Sequence, residues 1–569
     1  MRSILTLSLL AFYVLGTAQN INVEEVTQLK NKKIVKVNGG VNASSTLFTS
    51  NEMAGRQAFN YQLNGNLNIA LFELLNIPLT FSLNNYGAQY TYPTLPNRLS
   101  LHPSYKWIRC HIGDVSMSFS PYTLNGHQFT GMGVELTPGR WSISAMGGRL
   151  LRKVDYNPEI PQLAPSYNRY GYGVRTRYNG NKFFLGATLF TAKDHVKMTS
   201  FQADSMGIFP KSNVVASMEG GIHIIPTLKL SAEYAVSMLT RDTRSPQITG
   251  ANFMEHLIQK RESTSFYYAM KAALEYTFLK NTIAVGYERI SPQYETLGAY
   301  YFNNDYENIT LNYTRPLFGN KANIALSGGF QRDNLDDSKK EKNTKVVGSL
   351  NFTYAPTDKL NTSLSASTFQ GHRNIKSQFD YVNQATPYEN LDTLNFTQLS
   401  RNIDFNLNWT VKQCEKQSQT LMLNINFQEA ADKQGKYILP GNLSRFLNTS
   451  TIYAVEIIPI NMNINAGINV SNNYSNRSNF LTWGPTLSTS VGLFKRSLVT
   501  GITFSFNRSM EKSTPIADVF NCRWNANYRF LKRHGLQADL LFQQRNFKSM
   551  IPTKRILSLT SSFGYFYSF

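Results

Sequence analysis

Apolar and polar residues alternate one by one along much of this chain. From Ile403 the alternate positions read Ile403, Phe405, Leu407 and Trp409, with Asp404, Asn406 and Asn408 between them. Leu421, Leu423, Ile425 and Phe427 repeat the pattern around Asn424 and Asn426. Met462, Ile464, Ala466, Ile468 and Val470 repeat it around Asn463, Asn465, Gly467 and Asn469. Near the end, Phe520, Cys522, Trp524, Ala526, Tyr528 and Phe530 alternate with Asn521, Arg523, Asn525, Asn527 and Arg529. A period of two puts successive side chains on opposite faces of a strand. Each segment therefore predicts a strand with one apolar face and one face rich in amides and charge. A soluble sandwich shows the same alternation with its apolar face turned inward. Repetition decides between the two: a soluble fold of this length needs several cores joined by linkers, and no linker is visible. One closed antiparallel sheet, with its apolar face against lipid, accounts for residues 32–569.

The connectors alternate between short and long. The short ones carry turn chemistry: Thr137-Pro138-Gly139, Asn179-Gly180-Asn181, Pro226-Thr227, Leu279-Lys280-Asn281, Phe318-Gly319-Asn320, Pro356-Thr357-Asp358, Pro459, Phe494-Lys495-Arg496 and Lys532-Arg533-His534. Glycine tolerates positive φ, and proline presets φ and ends pairing, so these suit tight hairpins. Longer polar stretches lie between them, at 153–167, 193–211, 239–263, 334–344, 371–398 and 431–447. Short periplasmic turns and long external loops are the asymmetry of outer-membrane barrels. About 13 long and about 12 short connectors predict an all-β, single transmembrane barrel of roughly 26 strands. The pairs between residues 97 and 130 are the least regular, which makes about 24 the alternative.

The C-terminus is the most specific feature. Leu557, Leu559, Phe563, Tyr565, Tyr567 and Phe569 share one face, and Ser558, Thr560, Ser562, Gly564 and Ser568 the other, with Ser561 and Phe566 breaking the alternation. The pattern resembles the closing strand of Gram-negative outer-membrane barrel proteins. That resemblance implies a barrel-assembly signal at Phe563, Tyr565, Tyr567 and Phe569, and contact with the assembly machinery during biogenesis. An unpaired aromatic edge would be a sticky edge; in a barrel it pairs with a first strand near residues 32–49. A second segment, 101–152, holds Tyr105-Lys106-Trp107, Ser116-Met117-Ser118-Phe119-Ser120-Pro121-Tyr122, Gly126-His127, Gly131-Met132-Gly133-Val134-Glu135-Leu136 and Pro138-Gly139. It resembles a segment of large, mostly uncharacterised outer-membrane barrels, and implies an architecture rather than an activity.

The N-terminus sets the expected compartment. Met1 and Arg2 precede an apolar run from Ile4 to Leu15, followed by Gly16-Thr17-Ala18. This reads as a secretory signal over 1–18, cut between Ala18 and Gln19, and leaves 19–31 as a short periplasmic segment. The run is shorter than the roughly 20 residues a spanning helix needs. With strand alternation starting by Ile34, an N-terminal plug domain of the kind found in energy-coupled nutrient transporters is not expected.

Composition fits this picture. Charged residues make up 16% of the 569 residues, against about 25% in soluble proteins. Aromatics reach 13%, too many for a disordered chain. Length alone suggests three or four domains; a barrel that grows by adding hairpins needs only one. Cys110, Cys414 and Cys522 are far apart and form no C-x-x-C pair, so they read as small packing residues rather than a zinc site or disulfide framework.

Catalytic chemistry is weakly supported. His102, His111 and His127 lie near Asp114, Ser118 and Ser120, but there is no G-x-S-x-G or H-E-x-x-H motif to fix them together. The stretch Asp333-Asn334-Leu335-Asp336-Asp337 fails as a calcium loop, because Leu335, Ser338 and Thr344 stand where ligands or the turn glycine belong. No catalytic residue, metal or cofactor is expected.

The formal net charge is +21. A basic chain often meets nucleic acid, but an exported barrel meets lipid and anionic glycolipid instead. Arg175, Arg177, Arg523 and Arg529 fall on the polar face and are expected in the lumen. There they either favour anions or pair with carboxylates such as Asp539 and Asp404. An open barrel of about 26 strands would leak, so something should fill it. The candidates are loops 239–263 and 371–398, the first with a helical pattern at Phe253-Met254-Glu255-His256-Leu257-Ile258, the Gly126-His127 region folding inward, or a partner. Two functions follow: a porin-like channel with a partly filled lumen, or a non-conducting barrel within an envelope assembly or secretion complex with other envelope proteins.

Overall fold

The alternating segments become the staves of one sheet that closes on itself. The computed structural model describes residues 34–52, 57–72, 74–85, 98–155, 165–195, 207–248, 259–300, 302–336, 338, 344–368, 400–430, 433–434, 437–438, 443–475, 478–548 and 554–569. The predicted Ala18/Gln19 cut, the 19–31 segment, the 253–258 pattern and the 371–398 loop lie outside them.

Among the described residues the staves are β1 (Val35–Ser50), β2 (Phe59–Leu71), β3 (Leu75–Asn84), β4 in two pieces (Arg98–Leu101 and Ser104–Tyr105), β5 (Ile108–Ser118), β6 (Asn125–Leu136), β7 (Trp141–Leu151), β8 (Asn168–Asn179) and β9 (Phe183–His195). They continue with β10 (Ser212–Ile225), β11 (Leu228–Thr240), β12 (Thr264–Phe278), β13 (Asn281–Ile290), β14 (Tyr306–Leu317), β15 (Ala322–Asp333), β16 (Thr344–Thr357) and β17 (Leu360–Ser367). The circuit ends with β18 (Ser400–Gln413), β19 (Gln417–Ala430), β20 (Ser444–Ile457), β21 (Met462–Ser475), β22 (Ser478–Leu493), β23 (Leu498–Glu511), β24 (Thr514–Phe530), β25 (His534–Phe547) and β26 (Lys554–Ser568). Each stave pairs antiparallel with its sequence neighbours, giving the expected 26-stranded closed barrel. No described helix is long and apolar enough to cross a membrane.

Closure joins β26 to β1. Phe563 stands opposite Ser45, Tyr565 opposite Ala43 and Tyr567 opposite Val41. Gly39 and Phe569 exchange backbone hydrogen bonds of 3.1 and 3.0 Å. One of the two exceptions to the C-terminal alternation has a local logic. Phe566 points inward across from Gly535, where any side chain would collide with its ring. Irregularity near residue 100 also has a cause: β4 breaks at His102-Pro103, where proline lacks the N–H a ladder needs.

One end carries the short turns, many of them built with positive φ, as at Leu279 and Lys280 (42° and 71°). Such primed hairpins match the twist of the strands they join. Both chain ends of the barrel lie on this side; the long connections leave from the other. The outward face is apolar, as at Tyr172 and Val174 on β8 and Leu185 and Leu189 on β9. Aromatic rings cluster on it at the short-turn end, with Trp141 5.1 Å from Tyr178, Tyr528 5.8 Å from Phe530, and His534 4.7 Å from Tyr567. An apolar band with aromatic girdling is the signature of a transmembrane barrel of the outer-membrane type.

Candidate functional site

The inward face is not uniform. Over staves β5–β13 two connections from the long-loop end fold into the lumen. The first is Phe119–Leu124, between β5 and β6; the second, between β13 and β14, comprises 291–300 and 302–305. Together they bury Phe119, Leu124 and Leu297 against Phe129, Met146, Phe190, Val215 and Leu239 of the wall, and Tyr122 and Tyr294 against Ala235, Ala269 and Ile290. Tyr122 is 1% exposed and Leu124 and Phe190 are 0% exposed. This is the one place among the described residues where inward side chains make a sizeable apolar core.

Glycines make room for it. Gly173 on β8 sits under Phe119, and an added Cβ would come within 2.7 Å of that ring. Gly171 would meet Leu150 at 2.6 Å, and Gly133 would collide with Met117. Gly298, inside the plug, would meet the Thr123 carbonyl at 2.7 Å. Gly171 and Gly173 of β8, with Gly133 of the 101–152 segment, thus shape the seat of the plug.

Polar contacts lock the two connections together and to the wall. Tyr294 donates to the Tyr122 carbonyl (2.7 Å), Thr296 to the Thr123 carbonyl (2.7 Å) and the Asn125 N–H to the Gly298 carbonyl (2.9 Å). The Leu297 N–H donates to Asn213 Oδ1 (3.1 Å), Ser237 to the Glu295 carbonyl (2.7 Å), and Lys211 Nζ pairs with Glu295 (2.8 Å). The Gln128 N–H donates to the Tyr300 hydroxyl (2.8 Å), whose ring lies 4.2 Å from the buried His127. Tyr122 reaches across to Glu288 Oε1 at 2.5 Å. Burial, and then the Glu288 carboxylate beside it, push the Tyr122 phenol far above the ordinary tyrosine range. It therefore remains a hydrogen-bond donor.

Toward the short-turn end from this contact lies a cavity of about 510 Å³, lined by Arg177, Phe184, Glu219, Lys229, Glu233, Lys271 and Glu288 among others. Its charges are matched locally. Arg175 Nη2 is 2.5 Å and Arg177 Nη1 3.6 Å from Glu219, and Lys271 Nζ is 2.9 Å from Glu233. Arg177 also stacks over Phe184 at 3.9 Å. On the opposite wall Arg523 pairs with Asp539 at 2.7 Å, and Arg529 lies over the Phe566 ring at 5.8 Å. Of the two expected carboxylate partners, Asp539 serves; Asp404 is instead held by Asn402 and Asn426. The lumenal face of β18–β25 is a ladder of amides and hydroxyls, as in Asn424–Asn406 (2.5 Å), Asn465–Ser488 (3.1 Å), Asn521–Ser505 (3.0 Å) and Gln543–Asn521 (2.8 Å).

The residues weighed for hydrolysis are brought together only as a His102–His111 pair, with Asp114, Ser118 and Ser120 engaged elsewhere. His102 Nδ1 faces His111 Nδ1 at 2.8 Å, and His111 Nε2 lies 3.5 Å from Glu135. Ser118 accepts the Gly126 N–H (2.8 Å), Ser120 meets Thr123 (3.0 Å), and Asp114 accepts from Thr130 (2.6 Å). Cys110 and Cys522 are half-buried and Cys414 is exposed, all three unpaired. Of the expected lumen fillers, the region beside Gly126-His127 does fold inward. The 291–305 segment was not expected; its signal is the density of Tyr294, Leu297, Tyr300 and Phe302 in a connector that should be polar.

No family model and no curated protein matches the chain. Solved structures that resemble it include a Rh. blastica porin variant, with 10% identity over 55% of this chain and 98% of that one and a TM-score of 0.27. A variant of the ferric enterobactin receptor of Pseudomonas aeruginosa in complex with enterobactin shows 10% identity over 95% and 82%, with a TM-score of 0.42. The P pilus usher translocation pore shows 10% identity over 93% and 98%, with a TM-score of 0.37.

Proposed function

We propose that the protein is a porin-like outer-membrane channel for small polar solutes, narrowed on one side by its own inward-folded plug. The observation that carries this reading is the unequal lining of the lumen. Among the described residues, apolar packing is confined to the wall β5–β13, whereas β18–β25 present amides and hydroxyls that suit water and hydrogen-bonding solutes. The lumenal arginines lend only a modest net field, because Asp539 balances Arg523 while Arg175 and Arg177 share Glu219. Weak selectivity follows from that balance. The reading assigns no enzymatic activity, and the partners it expects are outer-leaflet glycolipid and, during biogenesis, the assembly machinery.

The test is conductance of the purified barrel in planar bilayers. Stable unit currents, with salt-proportional amplitude, support the channel. A second reading, a non-conducting subunit of an envelope or secretion assembly, has one observation behind it. The short-turn tips present bare apolar residues, with Leu279 92%, Leu531 78%, Phe494 73% and Phe318 70% exposed. Silence in the bilayer, together with fixed partners copurifying in mild detergent, would replace the first reading with the second.

A further inference from the structure

At the rim of the largely apolar outward face, where the long loops leave, one arrangement occurs three times. Arg289, Glu307 and Arg332 stand side by side on β13, β14 and β15. Arg401, Glu429 and Arg445 do so on β18, β19 and β20. Arg508 and Asp518 face each other on β23 and β24, with Lys548 reaching Asp518 from just beyond β25. In each, a central carboxylate is flanked by a cation on either side, and the centres fall on every fifth stave.

Register puts all three on the lipid face. Two residues below Glu307 and Arg332 are Ile309 and Phe330, 50% and 45% exposed. Below Arg401 and Arg445 are Ile403 and Leu447, and below Arg508 and Asp518 are Phe506 and Phe520. Charge on this face costs about 2–4 kcal/mol at the bilayer midplane and about 0–1 near the interface. Three triads at the last turns of their strands therefore mark the level of the outer headgroups.

The internal geometry leaves positive charge to spare. The carboxylates are sunk, at 14%, 14% and 12% side-chain exposure, while each triad keeps at least one more open cation, Arg332 at 42%, Arg401 at 60% and Lys548 at 41%. Arg445 Nε is 2.7 Å and Arg401 Nη1 3.5 Å from Glu429; Arg508 Nε is 2.8 Å and Lys548 Nζ 2.6 Å from Asp518. Arg289 Nη1 is 3.4 Å from Glu307, which Arg332 also contacts. One carboxylate neutralises one cation, so each triad keeps a net charge of +1 and unspent guanidinium or ammonium donors. At a strand spacing of about 4.8 Å, centres five staves apart lie roughly 24 Å from one another across the sheet. One headgroup does not bridge that distance, so these are separate sites.

We propose that the three triads are binding sites for the phosphate groups of outer-leaflet glycolipid. The asymmetry of the wall selects this source over phospholipid: the triads sit only at the long-loop end of the described outer face, while the other end presents aromatic rings. The proposal rests on the outer-membrane placement but not on conduction through the lumen. Native mass spectrometry of the full barrel in detergent, with diphosphorylated lipid A as probe, tests it. Up to three retained copies are expected, and phosphatase-treated lipid A or phosphatidylglycerol should not compete. Arg401→Gln with Arg445→Gln should remove one copy, weakening that site about tenfold or more, as losing a charge-assisted hydrogen bond implies. Glu429→Gln should leave retention intact, because it removes the neutralising partner. Equal retention of the dephosphorylated lipid by the unaltered protein would overturn the proposal without any variant, and so would unchanged stoichiometry in variants whose heat-modifiable gel mobility is normal. Bilayer conductance of the same samples tells a failed site from a failed channel.

Discussion

Tyr122 donates its phenolic proton to Glu288 Oε1 at 2.5 Å, across 166 residues of sequence and from plug to wall. A hydrogen bond to a charged acceptor is worth about 1.5–3 kcal/mol. Tyr122→Phe removes it and leaves the ring packing in place. Amides of residues 119–124 should then exchange with solvent about tenfold faster or more, while strand amides of β18–β25 are unchanged. Hydrogen exchange read by mass spectrometry checks this; uniform exchange across the barrel would count against a locally seated plug.

The seat itself can be filled. At Gly173 an added side chain meets the Phe119 ring, whereas at Gly328 an added Cβ meets nothing. Valine suits a strand at either position. Gly173→Val should expel the plug, opening the Phe119–Leu124 connection to limited proteolysis and raising unit conductance. Gly328→Val should do neither. Both variants should keep the gel mobility of a folded barrel.

How much of this was legible follows from what a period of two can say. Alternation fixes which face a residue takes, so the staves around Ile403, Leu421, Met462 and Phe520, and the face that Arg523 shares with Asn521 and Asn525, could be read directly. It says nothing about what enters the lumen. Tyr122 and Tyr294 meet only because two loops fold back over β5–β13, a contact between residues 172 positions apart. Gly171 and Gly173 were visible in the sequence, but their purpose was not until Phe119 lay over Gly173. The partners of the arginines were half legible for a similar reason. Arg523 and Asp539 sit two register positions apart on adjacent staves, Arg523 facing Leu541 and Asp539 facing Asn525. Glu219, by contrast, lies two staves from Arg175, so its role depends on the curvature of the wall.

Closure separates two roles of the last residue. Phe569 exchanges backbone hydrogen bonds with Gly39, which any residue can make, and adds a ring 5.6 Å from Tyr567. Phe569→Ala keeps the first and loses the second. If the terminal aromatic is an assembly signal, the variant should accumulate unassembled in cells yet refold from denaturant into detergent almost as well as the parent. Quantifying heat-modifiable barrel from both sources decides it: equal losses would make the ring a stability element instead.

Selectivity should follow the Arg523–Asp539 pair with a definite sign. The two charges lie 2.7 Å apart and cancel at a distance. Asp539→Asn leaves the guanidinium uncompensated in the lumen, which should move the reversal potential in a KCl gradient toward the chloride equilibrium potential. Arg523→Gln leaves the carboxylate and should move it toward potassium. Both shifts should be larger in about 0.1 M salt, where the Debye length is about 10 Å, than in about 1 M, where it is about 3 Å. The double variant restores neutrality and should return the potential to that of the parent. Equal reversal potentials in all four proteins would place this wall outside the conducting path and confine any current to the other side of the barrel.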